Sequence, residues 1–174
     1  MKIACVVLAA GAGTRMGGVA KALLRRGELT FLQRIVETAL ADEVVVVVGP
    51  PYGDAVAAHA RELGARVVVN ADPSRGMSSS INVGFANLDA DAAWLWPVDH
   101  PDVQASTLRA LIAEVGARDI ARPICDGRGG HPPLIKRAVF AQLVTCENAR
   151  EVINAADVIN VEVEDRGTIE DVDR

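Results

Sequence analysis

Residues 2–21 read KIACVVLAAGAGTRMGGVAK, an apolar run that breaks into glycines and ends in cations. Ile3 to Ala9 is almost continuously apolar, the pattern of a strand buried on both faces of a parallel sheet. It is too short to span a bilayer. Gly11, Gly13, Gly17 and Gly18 follow, and a backbone without Cβ atoms lets a ligand approach closely. Successive amides of such a loop point at an anion, Arg15 can fork onto phosphate oxygens, and Lys21 adds a point charge. Strand, glycines and cations converge on a phosphate-bearing ligand.

Three readings meet at this stretch. A plain structural turn with two solvated cations is one. A dinucleotide-binding fingerprint is the second, but its glycine spacing is G-x-G-x-x-G and it wants an acidic residue about 20 positions later at a strand end. Here the next strand ends in Gly49-Pro50-Pro51 instead. A P-loop is not supported either, because G-x-x-x-x-G-K-[ST] does not occur. The third reading is a resemblance. Leu8-Ala9-Ala10-Gly11-Ala12-Gly13-Thr14-Arg15-Met16-Gly17, with Lys21 four places on, resembles the signature of the sugar-nucleotidyltransferase-like superfamily, the MobA-like NTP transferases. Within it the chain is most similar to the molybdenum-cofactor cytidylyltransferases and their near relatives. Ala20 stands where many members carry proline before the lysine, which should loosen the loop slightly without removing a ligand.

Composition agrees with a single domain spanning 1–174. Half of the residues are hydrophobic and only 3% aromatic, so Val, Ala, Leu and Ile must build the core. A net charge of −5 argues against general affinity for nucleic acid or an anionic membrane, and makes any phosphate site a local positive spot. Cys5, Cys125 and Cys146 form no Cys-x-x-Cys and suggest neither a disulfide framework nor a zinc site. With Met1 leading straight into the first strand, the expected location is the cytoplasm.

Along the chain, helical spacing over Phe31 to Leu40 precedes a buried strand at Glu43 to Val48. Ala55 to Leu63 reads as a helix, Ala65 to Asn70 as a strand, and Ser80 to Leu88 as a helix with Ile81, Gly84, Phe85 and Leu88 on one face. Ala92 to Val98 is the fourth strand. A helix carrying Leu108, Leu111, Ile112 and Val115 follows, then a strand near Asp119 to Ile124. Pro133 to Lys136 reads as an edge strand, because proline limits pairing. Two helices follow, the second with Asn148 and Glu151 as a capping box, and Val158 to Val163 closes the sheet. The alternation predicts a three-layer α/β/α sandwich with a Rossmann-like, mostly parallel sheet and an antiparallel edge, which the resemblance makes nucleotide-diphospho-sugar transferase-like. Ligands of such sheets sit at the carboxyl ends of the strands, where the first loop and Asp99 both fall.

Asp99, in Pro97-Val98-Asp99-His100-Pro101-Asp102, is either a turn residue or a metal ligand. The resemblance implies the second, a Mg²⁺ ligand at the family's Asp-x-Pro position, and Asp102 reads as a helix cap. Gly76-Met77-Ser78-Ser79-Ser80-Ile81 is good N-cap material and also resembles the segment that helps hold the nucleotide, which adds Ser78 and Ser79 as candidates. Gly127-Arg128-Gly129-Gly130-His131-Pro132 is a turn by composition and resembles the family's acceptor loop, where Arg128 and His131 would suit an acceptor phosphate. Glu170-Asp171-Val172-Asp173-Arg174 resembles the start of the family's Asp-[IV]-Asp-Thr-Pro-Glu-Asp segment, and makes Asp171 a second candidate for Mg²⁺.

The resemblance therefore implies transfer of a nucleoside monophosphate, CMP from CTP, to a phosphorylated acceptor of molybdopterin type, with release of pyrophosphate. Ala10, where guanylyl-transferring relatives tend to carry glycine, favours a pyrimidine. Arg15, Lys21 and Asp99 are the expected catalytic residues, and Leu8, Ala9, Ala10, Gly11, Gly13, Ser78, Ser79 and His131 the expected binding residues. A molybdoenzyme that receives the cofactor is the expected protein partner. Two rivals stay open: a non-catalytic nucleotide- or cofactor-binding delivery protein, and a dinucleotide-dependent oxidoreductase.

Overall fold

The computed structural model describes residues 1–11 and 18–172. The chain runs β1 (Ile3–Leu8), β2 (Arg25–Arg26), β3 (Leu29–Thr30), α1 (Phe31–Thr38), β4 (Glu43–Val48), α2 (Gly53–Glu62), β5 (Arg66–Val69), α3 (Met77–Phe85) and β6 (Ala92–Pro97). It continues with α4 (Ala105–Glu114), β7 (Ile120–Cys125), β8 (Arg128–Gly129), β9 (Leu134–Lys136), α5 (Arg137–Thr145), α6 (Ala149–Ala155) and β10 (Val158–Glu162). The main sheet has the order β10-β7-β9-β6-β1-β4-β5, with β8 paired to β7 off this path. β1 lies parallel to β4 and β6, β4 to β5, and β10 to β7.

β1 shows why the apolar run is continuous. Ala4, Cys5, Val6 and Val7 are all completely buried, because both faces of the strand are covered by helices. Ile3, Cys5 and Val7 pack with Val46, Val48, Trp94 and Trp96 into the layer that holds α1, α2 and α4. Ala4, Val6 and Leu8 pack with Val45, Val47 and Leu95 into the layer that holds α3, α5 and α6. Period two along the strand thus divides the core into two apolar layers. Cys5, Cys125 and Cys146 are free, and burial pushes the Cys5 thiol pKa far up.

Two expectations need correction. Pro133 to Lys136 is not an edge: β9 lies between β6 and β7, antiparallel to both, and Leu134 and Ile135 are completely buried. Pro133 stands just before the paired residues, and its carbonyl accepts from the Leu95 amide at 3.2 Å, so its missing N–H costs no ladder bond. The Asn148 cap also differs from a capping box. Its Oδ1 accepts from Arg150 N at 3.1 Å, while its side-chain Nδ2, not its backbone N–H, donates to Glu151 Oε1 at 2.8 Å.

Chain direction fixes where a ligand can sit. From β1 the path moves to β4 and β5 on one side, then returns across β1 to β6 on the other. At that reversal a crevice opens at the carboxyl ends of β1 and β6. Asn70, buried just after β5, shapes the third wall. Its amide donates to Ser79 Oγ at 2.8 Å and Ser80 Oγ at 2.9 Å, and its Oδ1 accepts from Asp72 N at 3.1 Å. α3 then lies so close on the sheet that a Cβ on Gly84 would stand 2.5 Å from Val6 Cγ1 and 2.8 Å from Val47 Cγ2.

Gly84→Ala should therefore destabilise by about 1–3 kcal/mol through overpacking, despite alanine's better helix propensity. Thermal and urea unfolding of the variant measure this, and an unchanged or raised midpoint would contradict the close contact.

Candidate active site

A cavity of about 350 Å³ opens at the carboxyl ends of β1 and β6. Leu8, Ala9, Ala10 and Gly11 form one wall, Pro97, Val98 and Asp99 a second, and Pro73, Gly76, Met77 and Ser80 a third. Lys21 and Asp171 complete the lining. Lys21 Nζ donates to Asp99 Oδ2 at 3.2 Å, with both side chains largely shielded from solvent. A cation and a carboxylate facing each other in a largely apolar cleft can serve an anionic ligand and the metal that accompanies it.

The expected residues fall into three groups. Leu8, Ala9, Ala10, Gly11, Lys21, Asp99 and Asp171 come together around the cavity. Gly13 and Arg15 lie outside the described residues. Ser78, Ser79 and His131 are placed differently. Ser78 Oγ accepts from Ala149 N at 3.1 Å, which ties α3 to the start of α6. Ser79 donates to the Gly76 carbonyl at 2.7 Å while accepting from Asn70. Of the three serines, Ser80 lines the cavity. Nothing in the run Ser78-Ser79-Ser80 itself distinguishes them: Ala149 engages the Ser78 hydroxyl, while the Asn70 amide donates to both Ser79 and Ser80.

Asp102 is not a helix cap. It pairs with Arg26 Nε at 3.0 Å and Arg34 Nη2 at 2.9 Å, and Arg34 Nε also donates to the Pro101 carbonyl at 3.3 Å. These cations hold the turn that follows Asp99. His100 is buried within the same turn, its Nδ1 3.2 Å from the Gly167 carbonyl and its Nε2 4.0 Å from Asp99 Oδ1.

His131 sits against His100, with ring centroids 5.1 Å apart. Its Nδ1 is buried and finds no hydrogen-bond partner among the described residues. Burial, reinforced by the neighbouring His100 and opposed by Asp99, pushes its pKa down to about 4. Its ring is therefore neutral at pH 7 and offers no positive charge to an acceptor phosphate. Arg128 is exposed on β8.

Among the described residues, no group of three or more His, Cys, Asp or Glu comes together to hold a metal. Mg²⁺ and Mn²⁺ nevertheless suit the donor set, because hard cations at nucleotides take one or two carboxylates and complete their shell with phosphate and water. Asp99 and Asp171, both on the cavity wall, are two such carboxylates.

A doubly wound sheet with a glycine-rich first loop, a lysine and carboxylates at its switch point is the arrangement of a nucleotide-handling α/β protein. Residues 5–161 match the MobA-like NTP transferase domain, and the chain belongs to that family. It is 34% identical to nicotine blue oxidoreductase of Paenarthrobacter nicotinovorans, over 97% of this chain and 90% of that protein. It is 27% identical to 2-C-methyl-D-erythritol 4-phosphate cytidylyltransferase of Corynebacterium efficiens, over 91% of this chain and 65% of that one. Among solved structures, Rv0371c of Mycobacterium tuberculosis H37Rv superposes with a TM-score of 0.78 at 28% identity, covering 94% of this chain and 88% of its own. Rv0371c has also been solved in complex with manganese. Among the described residues no helix is long and apolar enough to cross a membrane.

The depressed His131 pKa has a consequence for stability. The unfolded chain takes up this proton near pH 6.5, the folded one only near 4. Stability from keeping the ring neutral is thus complete above about pH 6.5 and is lost as pH falls toward 4, by about 3 kcal/mol in all. The unfolding free energy of the native protein, relative to His131→Gln, should fall across that window, and a pH-independent difference would contradict the assignment.

Proposed function

We propose that this chain is a nucleotidyltransferase that moves CMP from CTP to a phosphorylated acceptor and releases pyrophosphate. The reading rests on the cavity at the β1 and β6 carboxyl ends, where Lys21 and Asp99 face each other at 3.2 Å and Asp171 joins them. Family membership supports the transferase class, and the cytidylyltransferase among the relatives supports the pyrimidine. The acceptor class, with molybdopterin first, rests on the resemblance of the first loop to molybdenum-cofactor cytidylyltransferases, and a molybdoenzyme would be the recipient of the product. We take residues 1–174 as one catalytic domain working in the cytoplasm.

In this reaction an acceptor phosphate oxygen forms a bond to the α-phosphorus, and the bond from that phosphorus to the oxygen bridging toward the β-phosphate breaks. The electron pair leaves with pyrophosphate. The attacking oxygen is already anionic, so no general base is required, and positioning with charge neutralisation supplies the acceleration. Lys21, with Arg15 of the same loop, meets charge growing on the α-phosphate and on the leaving group. The first turn of α3 presents amides to the ribose or phosphates, and Ser80 offers a hydroxyl to the base. Asp99 and Asp171 would hold Mg²⁺, whose contribution is to neutralise phosphate charge.

A second reading is favoured by one observation, the 34% identity to a protein named as an oxidoreductase. In that reading the same cavity binds a nicotinamide or flavin nucleotide and the chain transfers electrons between it and a second substrate. Pyrophosphate release from each of the four triphosphates, with Mg²⁺ and a panel of phosphorylated acceptors, separates the two. CTP-dependent release supports the transferase. Oxidation of NADH or NADPH with no pyrophosphate under any condition would support the oxidoreductase.

Lys21→Ala should lower turnover by about 10²-fold or more while the protein stays folded, because it removes a charge that matters most in the transition state. Asp99→Asn should keep its melting temperature, bind Mn²⁺ more weakly by calorimetry, and recover part of its activity at raised Mg²⁺. Full activity of either variant at ordinary Mg²⁺ would contradict the role given to that residue.

A further inference from the structure

We propose that Asp165 is a positioning residue: it locks the strap of residues 163–172 against the Asp99 turn and so sets the place of Asp171 in the cavity. The inference rests on the metal-and-nucleotide reading of that cavity. Asp171 itself is exposed at the cavity wall, so its placement comes from the backbone that carries it.

That backbone is fastened on both sides of Asp171. Before it stands Asp165, a carboxylate only 5% exposed, whose burial requires hydrogen-bonding partners. Its Oδ2 accepts from Gln104 N at 2.8 Å and from Thr107 Oγ1 at 2.7 Å. Its Oδ1 accepts from Gly167 N at 3.1 Å. One carboxylate thereby joins the strap to the start of α4, where the helix dipole also favours negative charge. Gly167 then lies flat on the Asp99 turn. A Cβ there would stand 2.6 Å from the Asp102 carbonyl, and the Gly167 carbonyl accepts from His100 Nδ1 at 3.2 Å. Thr168, completely buried, donates to the Asp165 carbonyl at 2.7 Å and accepts from His131 N at 2.8 Å. Beyond Asp171, Val172 N donates to the Asp99 carbonyl at 2.8 Å.

The segment that carries Asp99 and the strap that carries Asp171 are thus fastened to one another through Asp165, Gly167 and Val172. Gln104 and Thr107 have their hydrogen bonds satisfied by Asp165, which makes that residue the fixed point of the strap. Without its charge the strap keeps its apolar contacts but loses the lock that holds Asp171 in register with Asp99.

A double-mutant cycle tests this, read as calorimetric binding of a non-hydrolysable CTP analogue in saturating Mn²⁺ alongside melting temperature. The expected result is that Asp171→Ala weakens binding by about tenfold or more, and that Asp165→Asn weakens it by about tenfold, as loss of an outer partner does. The double variant should bind no worse than Asp171→Ala alone, because Asp165 acts through Asp171, although its melting temperature still falls. If Asp165→Asn leaves binding unchanged, or its penalty adds in full to that of Asp171→Ala, the positioning role is overturned. If Asp171→Ala itself leaves binding unchanged, the metal-and-nucleotide role of Asp171 fails, and this assignment with it. Should Asp165→Asn not fold, Thr107→Val removes one of the three donors. It should weaken binding by about two- to threefold, less than the carboxylate change and only when Asp171 is present. Equal weakening with and without Asp171 would overturn the role.

Discussion

Burial of β1 on both faces, with parallel ladders to β4 and β6 on its two edges, is the constraint on which the rest depends. A strand so enclosed cannot shift its register without moving an entire apolar set to the wrong layer. Its carboxyl end is therefore a fixed point, and Ala9, Ala10 and Gly11, which follow it, line the crevice opened by the reversal of strand order. Lys21 stands in the same cavity opposite Asp99. The site follows from the sheet, and the chemistry of its residues follows from the site.

Electrostatics are local in this acidic chain. The net charge of −5 repels polyanions at a distance, while Lys21 sits in a cleft of apolar walls where one cation counts for more than it would in water. Asp99 tempers that cation at 3.2 Å and puts a carboxylate, the donor type that hard cations prefer, at the same place. The surrounding turn has its own supports. Arg26 and Arg34 hold Asp102 from one side, and Gly167 and Val172 hold the turn from the other. Residues outside the cavity lining thus decide where the Asp99 turn stands.

Much of this was legible in the chain. The ends of β4 match the expected strand, and β1 and β6 agree within a residue or two, because a buried parallel strand writes itself as an uninterrupted apolar run. The loop after β1 and Asp99 after β6 were both expected at the carboxyl edge of the sheet, and Leu8 to Gly11, Lys21 and Asp99 do line one cavity there. Other features could not be read locally. β9 was expected at an edge because proline limits pairing, and its insertion as an antiparallel strand between β6 and β7 leaves no mark in three residues. Ser80 is indistinguishable in sequence from Ser78 and Ser79, whose partners lie as far away as Ala149. Asp165 stands in the acidic stretch Glu162-Val163-Glu164-Asp165, where only the fold shows that this one carboxylate is buried beside α4.

The central claim is that the crevice between the β1 and β6 carboxyl ends holds a triphosphate with its divalent metal. A crystal structure of the protein with a non-hydrolysable CTP analogue and Mn²⁺, the metal located by anomalous scattering, measures this most directly. The account predicts phosphates beside Lys21 and a manganese ion bound by Asp99 and Asp171. A nucleotide seated elsewhere, or a metal remote from both carboxylates, would contradict it.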